Sequence, residues 1–224
     1  MGRALLALAA LCAAGCGTTP EVVEAGGRGL VDADATPPDG ARVWSQPALG
    51  VGDRFAYRRG GLVDVVFKVV EAGEAGYVFE EESTGLRNLF TRELWVQGQQ
   101  MPGNEAMDRR IEPFDAQLTW PLWVGKRWVS HFVRAGGAAG DMPVIARYEC
   151  DAVETVSTPA GELECVRIWR RSMPAVEEKY FERNDLLWYA PAVGFFARKL
   201  EDGLLTELRV AAPAGGPGPG RPPP

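Results

Sequence analysis

Between Trp44 and Val210, no run of 12 or more residues keeps a 3.6-residue apolar period without meeting a glycine or a proline. That disfavours long amphipathic helices and leaves short apolar segments cut by turn signals. Asp53 to Arg59, Val63 to Val70 and Tyr77 to Glu82 are rich in Val, Phe and Tyr, with Gly60-Gly61 and then Glu71 to Gly76 between them. Leu86 to Gln97, Arg127 to Arg134, Val144 to Ser157, Leu163 to Arg171, Glu178 to Tyr189, Phe195 to Leu200 and Leu204 to Val210 continue the pattern. Leu86 to Gln97 also suits a helical face through Leu89, Phe90, Leu94 and Trp95; strand is the preferred reading. Parallel strands need helical crossovers, for which this spacing leaves no room. The expected fold is therefore all-β, an antiparallel meander forming a curved sheet or a partly open barrel.

The pattern L-x-V-G-x-R-aromatic occurs twice, as Leu49 to Phe55 and, 73 residues later, as Leu122 to Trp128. Each copy follows a proline, Pro47 or Pro121, and opens a strand. A buried Leu and Val lead to a glycine that permits a sharp turn, and the aromatic then fills the core. Repetition of such a device implies two similar halves, each a meander of four or five strands.

Three motifs carry a resemblance. They are the L-x-V-G-x-x-W of the second copy, Thr158-Pro159-Ala160-Gly161-Glu162-Leu163 between two strands, and Trp188-Tyr189-Ala190-Pro191-Ala192-Val193-Gly194. Together they resemble poorly characterised exported bacterial lipoprotein domains with a P-A-G turn ahead of a W-Y-A-P-G-V-G segment. Leu163 stands where those domains usually have Phe, and Ala192 where they usually have Gly. The resemblance spans roughly residues 44 to 210 and implies the curved β-meander of lipoprotein carriers and their localisation factors. It is a likeness of fold, which does not fix function.

The two ends read differently. Arg3 precedes an unbroken apolar run from Ala4 to Ala14, 11 residues long. A transmembrane helix needs roughly 20, whereas a positive start, a short apolar core and small residues make an export signal. Ala13-Ala14-Gly15-Cys16 resembles the lipobox of bacterial lipoproteins, with Cys16 the acylated residue. An ordinary cleaved signal with an incidental cysteine is the alternative. Gly17, rather than Asp, after the cysteine implies the outer membrane by analogy with lipoprotein sorting, with the domain facing the periplasm. The expected organisation is a signal peptide over 1–15, a lipidated flexible tether over 16–43, one β domain over 44–210 and a disordered Pro/Gly-rich tail over 211–224. That tail contains no large apolar side chain to offset its ordering entropy.

Catalytic chemistry is hard to find. The net charge of −6 argues against nucleic-acid binding. His131 is the only histidine, and in a strand it points away from Ser130, so the two do not form a nucleophile–base pair. Glu80 and Glu82 share a face and could hold a cation or serve general acid–base chemistry, but an exposed strand face is the commoner setting. None of the phosphate-loop, G-x-S-x-G, H-E-x-x-H, C-x-x-C or EF-hand motifs is present. No catalytic residue, metal ligand or cofactor site is assigned.

Trp120, Trp123, Trp128 and Trp188 are the candidate lining of an apolar cleft, although tryptophan also simply fills small barrels. Cys150 and Cys165 flank the Pro159-Ala160-Gly161 turn and form a possible disulfide. A turn centred between Pro159 and Ala160 instead puts Cys150 opposite Trp169, and the pairing stays open. The leading functional expectation is a non-catalytic, lipid-anchored envelope protein that binds a hydrophobic ligand or envelope component. The alternative is an assembly partner that recruits another envelope protein through a sheet edge or a Trp-rich surface. An empty sheet interior would favour the first.

Overall fold

Period-two alternation carries the architecture. The computed structural model describes residues 28–136, 140–175, 182–212 and 214; Cys16 and the expected export signal lie outside them. The first half comprises β1 (Gly29–Ala33), β2 (Arg54–Arg59), β3 (Val63–Gly73), β4 (Gly76–Glu81), β5 (Arg87–Phe90), β6 (Val96–Gln100) and β7 (Arg109–Asp115). The second comprises β8 (Arg127–Ala135), β9 (Met142–Thr158), β10 (Gly161–Pro174), β11 (Arg183–Ala190), β12 (Phe195–Glu201) and β13 (Leu204–Ala212). A single 3-10 turn, Glu105–Met107, is the only helical element among the described residues.

Strands β2 to β13 pair with their sequence neighbours, β13 pairs with β2, and β8 pairs with β9. Every pairing is antiparallel. The result is a closed 12-stranded barrel, so the sheet goes beyond partial opening to full closure. Its two halves begin with the duplicated motif and hold six strands each, β2–β7 and β8–β13, rather than four or five.

The strand readings hold where periodicity is strong and shift where it is weak. Leu86 to Gln97 is two strands, β5 and β6, separated by a turn in which the Thr91 amide donates to the Trp95 carbonyl. Leu94 sits in this turn at φ 65° with its side chain buried. Strand β7 escapes the sequence pattern because Arg109, Arg110, Glu112 and Pro113 interrupt its apolar positions. Strand β1 lies in the stretch assigned to a tether. It pairs with residues 128–131 of β8, whereas β7 reaches only 133–135, so β1 covers an otherwise open edge.

The two faces of the barrel have opposite chemistry. Outward, Arg58 faces Asp64 at 3.4 Å and Arg87 faces Glu80 at 3.0 Å. Arg127 faces Glu149 at 2.8 Å, and Arg198 faces Glu207 at 2.7 Å. Such exposed cross-strand pairs contribute roughly 0.2–1 kcal/mol each and suit water. A lipid-spanning barrel carries the reverse pattern, with its apolar side outward. Inward, Phe55 faces Phe67 and Trp128 faces Tyr148, the latter pair stacked with centroids 5.1 Å apart. The core is thus the barrel lumen.

Candidate functional site

The connection between β7 and β8 folds into the lumen and plugs one end. Ala116, Leu118, Leu122 and Trp123 are buried in it. Three indole N–H groups hold it or its surroundings: Trp128 donates to the Ala116 carbonyl at 2.6 Å, Trp95 to Leu118 at 2.6 Å, and Trp120 to Glu93 at 3.0 Å. Lys126 closes the plug on itself, donating to the carbonyls of Thr119 (2.7 Å) and Pro121 (2.8 Å) over the Trp123 ring. Its ammonium is pushed down to about 8 by burial.

Above the plug the lumen is not filled. A cavity of about 510 Å³ lies between Gln117 of the plug and the opposite end of the barrel, within the ~300–1,000 Å³ usual for small-molecule sites. Its inner wall is aromatic: Tyr57, Phe67, Phe79, Phe90, Phe195 and Phe196. Phe195 reaches from β12 to within 5.1 Å of the Phe79 ring and 6.1 Å of Phe90, so the cluster spans the lumen. The Tyr57 hydroxyl donates to the Phe196 carbonyl at 2.8 Å, satisfying its polar end within this apolar wall. Burial drives that phenol's pKa well above its ordinary value.

The mouth is lined differently. Arg59 at the end of β2, Arg109 and Arg110 at the start of β7, Arg134 of β8 and Lys199 of β12 all border the cavity, with Glu201 as the accompanying carboxylate. Lys199 lies 2.8 Å from Glu201, and Arg110 lies 3.4 Å from Glu112. Burial lowers the pKa of the Arg134 guanidinium, and the neighbouring Arg170 lowers it further.

Arg170 belongs to a buried network beside this wall. It lies 3.0 Å from Asp115 and 2.7 Å from Asp185, with all three side chains about 3% exposed. It also donates to the hydroxyls of Tyr148 and Ser172, each at 3.0 Å, and Tyr148 donates to Asp115. The network ties β7, β9, β10 and β11 together, and its hydrogen-bonding groups satisfy one another, as a structural role requires.

The tryptophans expected to line the cleft sit elsewhere. Trp120, edge-on to Tyr189, and Trp123 belong to the plug end, and Trp128 is buried against Tyr148. Trp188 packs on the outer face, where its indole donates to Glu154 and Arg198 lies over its ring. None of the four borders the 510 Å³ cavity; Trp128 instead borders a smaller hollow of about 350 Å³ with Asp32, Asp34 and Arg127. Cys150 and Cys165 are both free and buried, and they face opposite sides of the sheet. Cys150 packs with the lumen core and Cys165 with Trp188 outside it. Cys150 pairs with Ile168 because a bulge at Arg167/Ile168 shifts it from Trp169. Ser130 points inward, where its hydroxyl accepts the Ala116 amide, and His131 is buried on the other face. Glu80 and Glu82 pair outward with Arg87 and Arg54. Among the described residues no group of three or more His, Cys, Asp or Glu is placed to hold a metal ion.

Sequence reasoning missed the phenylalanine wall and the cationic mouth. One signal was available: Phe55, Tyr57 and Arg59 alternate along β2 and so share the inward face. Their order, aromatic to cation, is the order from plug to mouth.

No family model and no curated protein matches this sequence. Solved structures similar in fold include the hypothetical lipoprotein YmcC from Escherichia coli, at 9% identity and TM-score 0.47, covering 72% of this chain and 85% of that one. A protein described as exported, with a YmcC-like fold, from Bacteroides fragilis is 14% identical, with TM-score 0.42 and coverage of 76% and 100%. A protein described as a lipoprotein, from Parabacteroides distasonis, is 11% identical, with TM-score 0.45 and coverage of 75% and 99%.

Proposed function

We propose that this chain is an exported, lipid-anchored envelope protein whose barrel binds a hydrophobic ligand in its lumen, without catalysing a reaction. The observation that carries the reading is the aromatic-walled cavity above the plug, inside a barrel whose outer face is laced with ion pairs. An apolar lumen in a water-facing barrel shelters an apolar molecule from water. Each methylene buried there stabilises binding by about 0.8 kcal/mol. Acylation at Cys16 would hold the barrel close to a membrane, the source of such ligands.

The assembly-partner reading rests on less. Closure pairs the strand edges it would use, and Trp123, Trp128 and Trp188 are buried. What favours it is the exposed pair of hairpin tips at the mouth, Leu62 and Val63 beside Leu204 and Leu205.

Equilibrium dialysis of labelled long-chain amphiphiles against the chain from Gly17 onward tests the binding reading, since this piece keeps every described residue. Saturable binding at one site per chain is expected. Absence of binding by every amphiphile tried would leave the assembly reading standing. Separately, Cys16→Ser in the full chain should abolish labelling by a fatty-acid analogue; persistent labelling would refute the anchor.

A further inference from the structure

The cavity has a polarity, and that polarity names a class of ligand. Resting on the reading that the lumen binds an apolar molecule, we infer that this molecule is an anionic amphiphile: its chain lies on the phenylalanines and its carboxylate or phosphate meets the cations of the mouth.

Charge is the first argument. Five cations and one carboxylate border the cavity, although the chain as a whole carries a net charge of −6. Acidic residues elsewhere therefore outnumber basic ones, and the excess of positive charge is gathered at this opening. A concavity lined with one sign of charge and low-dielectric walls focuses the field on a ligand of the other sign.

Pairing is the second argument. On the outer face, arginines sit opposite carboxylates, as Arg58, Arg87, Arg127 and Arg198 do. At the mouth the pairing is incomplete: Arg110 and Lys199 have Glu112 and Glu201, but no described carboxylate lies within ion-pair distance of Arg59, Arg109 or Arg134, and Arg109 spends its hydrogen bonds on the Ala106 and Asp108 carbonyls. Arg134 is partly buried and lies over the Phe132 ring. A guanidinium in that position has given up hydration without gaining a counter-ion. Guanidinium groups bind carboxylate and phosphate oxygens in paired hydrogen bonds, which a neutral headgroup does not offer.

Order along the strands is the third. On β2 the inward positions run Phe55, Tyr57, Arg59. On β12, Phe195 and Phe196 come before Lys199 and Glu201. Both strands grade from aromatic to charged in the direction from plug to mouth, the profile of a molecule with an apolar tail and an ionised head.

The test compares ligands of one chain length on the chain from Gly17 onward: palmitate, hexadecyl phosphate and hexadecanol, by equilibrium dialysis at low and high salt. Palmitate, hexadecyl phosphate or both should bind at least tenfold more tightly than hexadecanol, and added salt should erode the difference. Which of the two anions binds better distinguishes a carboxylate from a phosphate headgroup. Arg59→Gln and Arg134→Gln should each lower anion affinity several-fold and leave hexadecanol unchanged, whereas Arg134→Lys restores most of the loss. Unchanged hexadecanol binding in these variants shows that the barrel is intact. Should hexadecanol bind as tightly as both anions, the anionic assignment falls and lumen binding stands. Should none of the three bind, the lumen reading itself falls.

Discussion

Gly52 and Gly125 occupy equivalent places in the two halves of the barrel. The Gly52 amide donates to the Val69 carbonyl at 2.8 Å, and the Val69 amide donates back to Asp53 at 2.8 Å. Likewise the Gly125 amide donates to Cys150 at 2.7 Å, and the Cys150 amide donates back to Lys126 at 2.9 Å. Both glycines hold left-handed backbone, φ 99° and 95°. The duplicated motif is therefore one hydrogen-bonded device used twice, opening β2 against β3 and β8 against β9.

Gly125→Ala should destabilise the barrel by about 1–2 kcal/mol, because a Cβ at positive φ strains the backbone. Open space surrounds the position, so the effect is one of backbone rather than packing. Gly50→Ala, also in open space but without positive φ, is the control and should fall within about 0.5 kcal/mol of the parent. Urea unfolding followed by tryptophan emission reads both; equal effects would show that the turn does not depend on glycine.

Arg170→Met should cost about 3–5 kcal/mol, since it leaves Asp115 and Asp185 buried without their cation. Tyr148→Phe removes only the hydroxyl and should cost about 1–3 kcal/mol. Both are measured by urea unfolding at pH 7. An Arg170→Met loss no larger than that of Tyr148→Phe would mean that the carboxylates find other partners.

The buried thiols predict a pH dependence. Burial pushes Cys150 and Cys165 up to about 12 from an ordinary value of 9.0. Above pH 9 the unfolded chain releases thiol protons that the folded barrel retains, so stability present below pH 9 is lost as pH rises towards 12. The urea midpoint should fall between pH 8.5 and pH 10.5, and the fall should be smaller in Cys150→Ala and Cys165→Ala. A slope identical in both variants would place its origin elsewhere. In unreduced native protein, both thiols should resist a blocking reagent and both should react after unfolding.

Alternation and turn residues made most of the barrel legible. Strands such as β2, β3 and β12 lie within a few residues of where the Val/Phe/Tyr runs put them. What stayed hidden depended on register. A strand's inward face is fixed only by its partners, and bulges that insert Asp151 into β9 and Ala197 into β12 reverse parity part-way along those strands. Trp188, between the inward Leu187 and Tyr189 of β11, ends outside the lumen, while Phe195 points into it. Closure also escaped the sequence, because it depends on the long-range pairing of β13 with β2. Strand β7 has too many charges to read as apolar, yet those charges furnish part of the mouth.

The most direct test of lumen binding is a crystal structure of the chain from Gly17 onward grown with palmitate brominated at its terminal carbon. The account predicts one anomalous bromine peak inside the barrel, among Phe79, Phe90 and Phe195, with the carboxylate at the mouth beside Arg59 or Arg134. Bromine bound only on the outer face, or an empty lumen at saturating ligand, would contradict it.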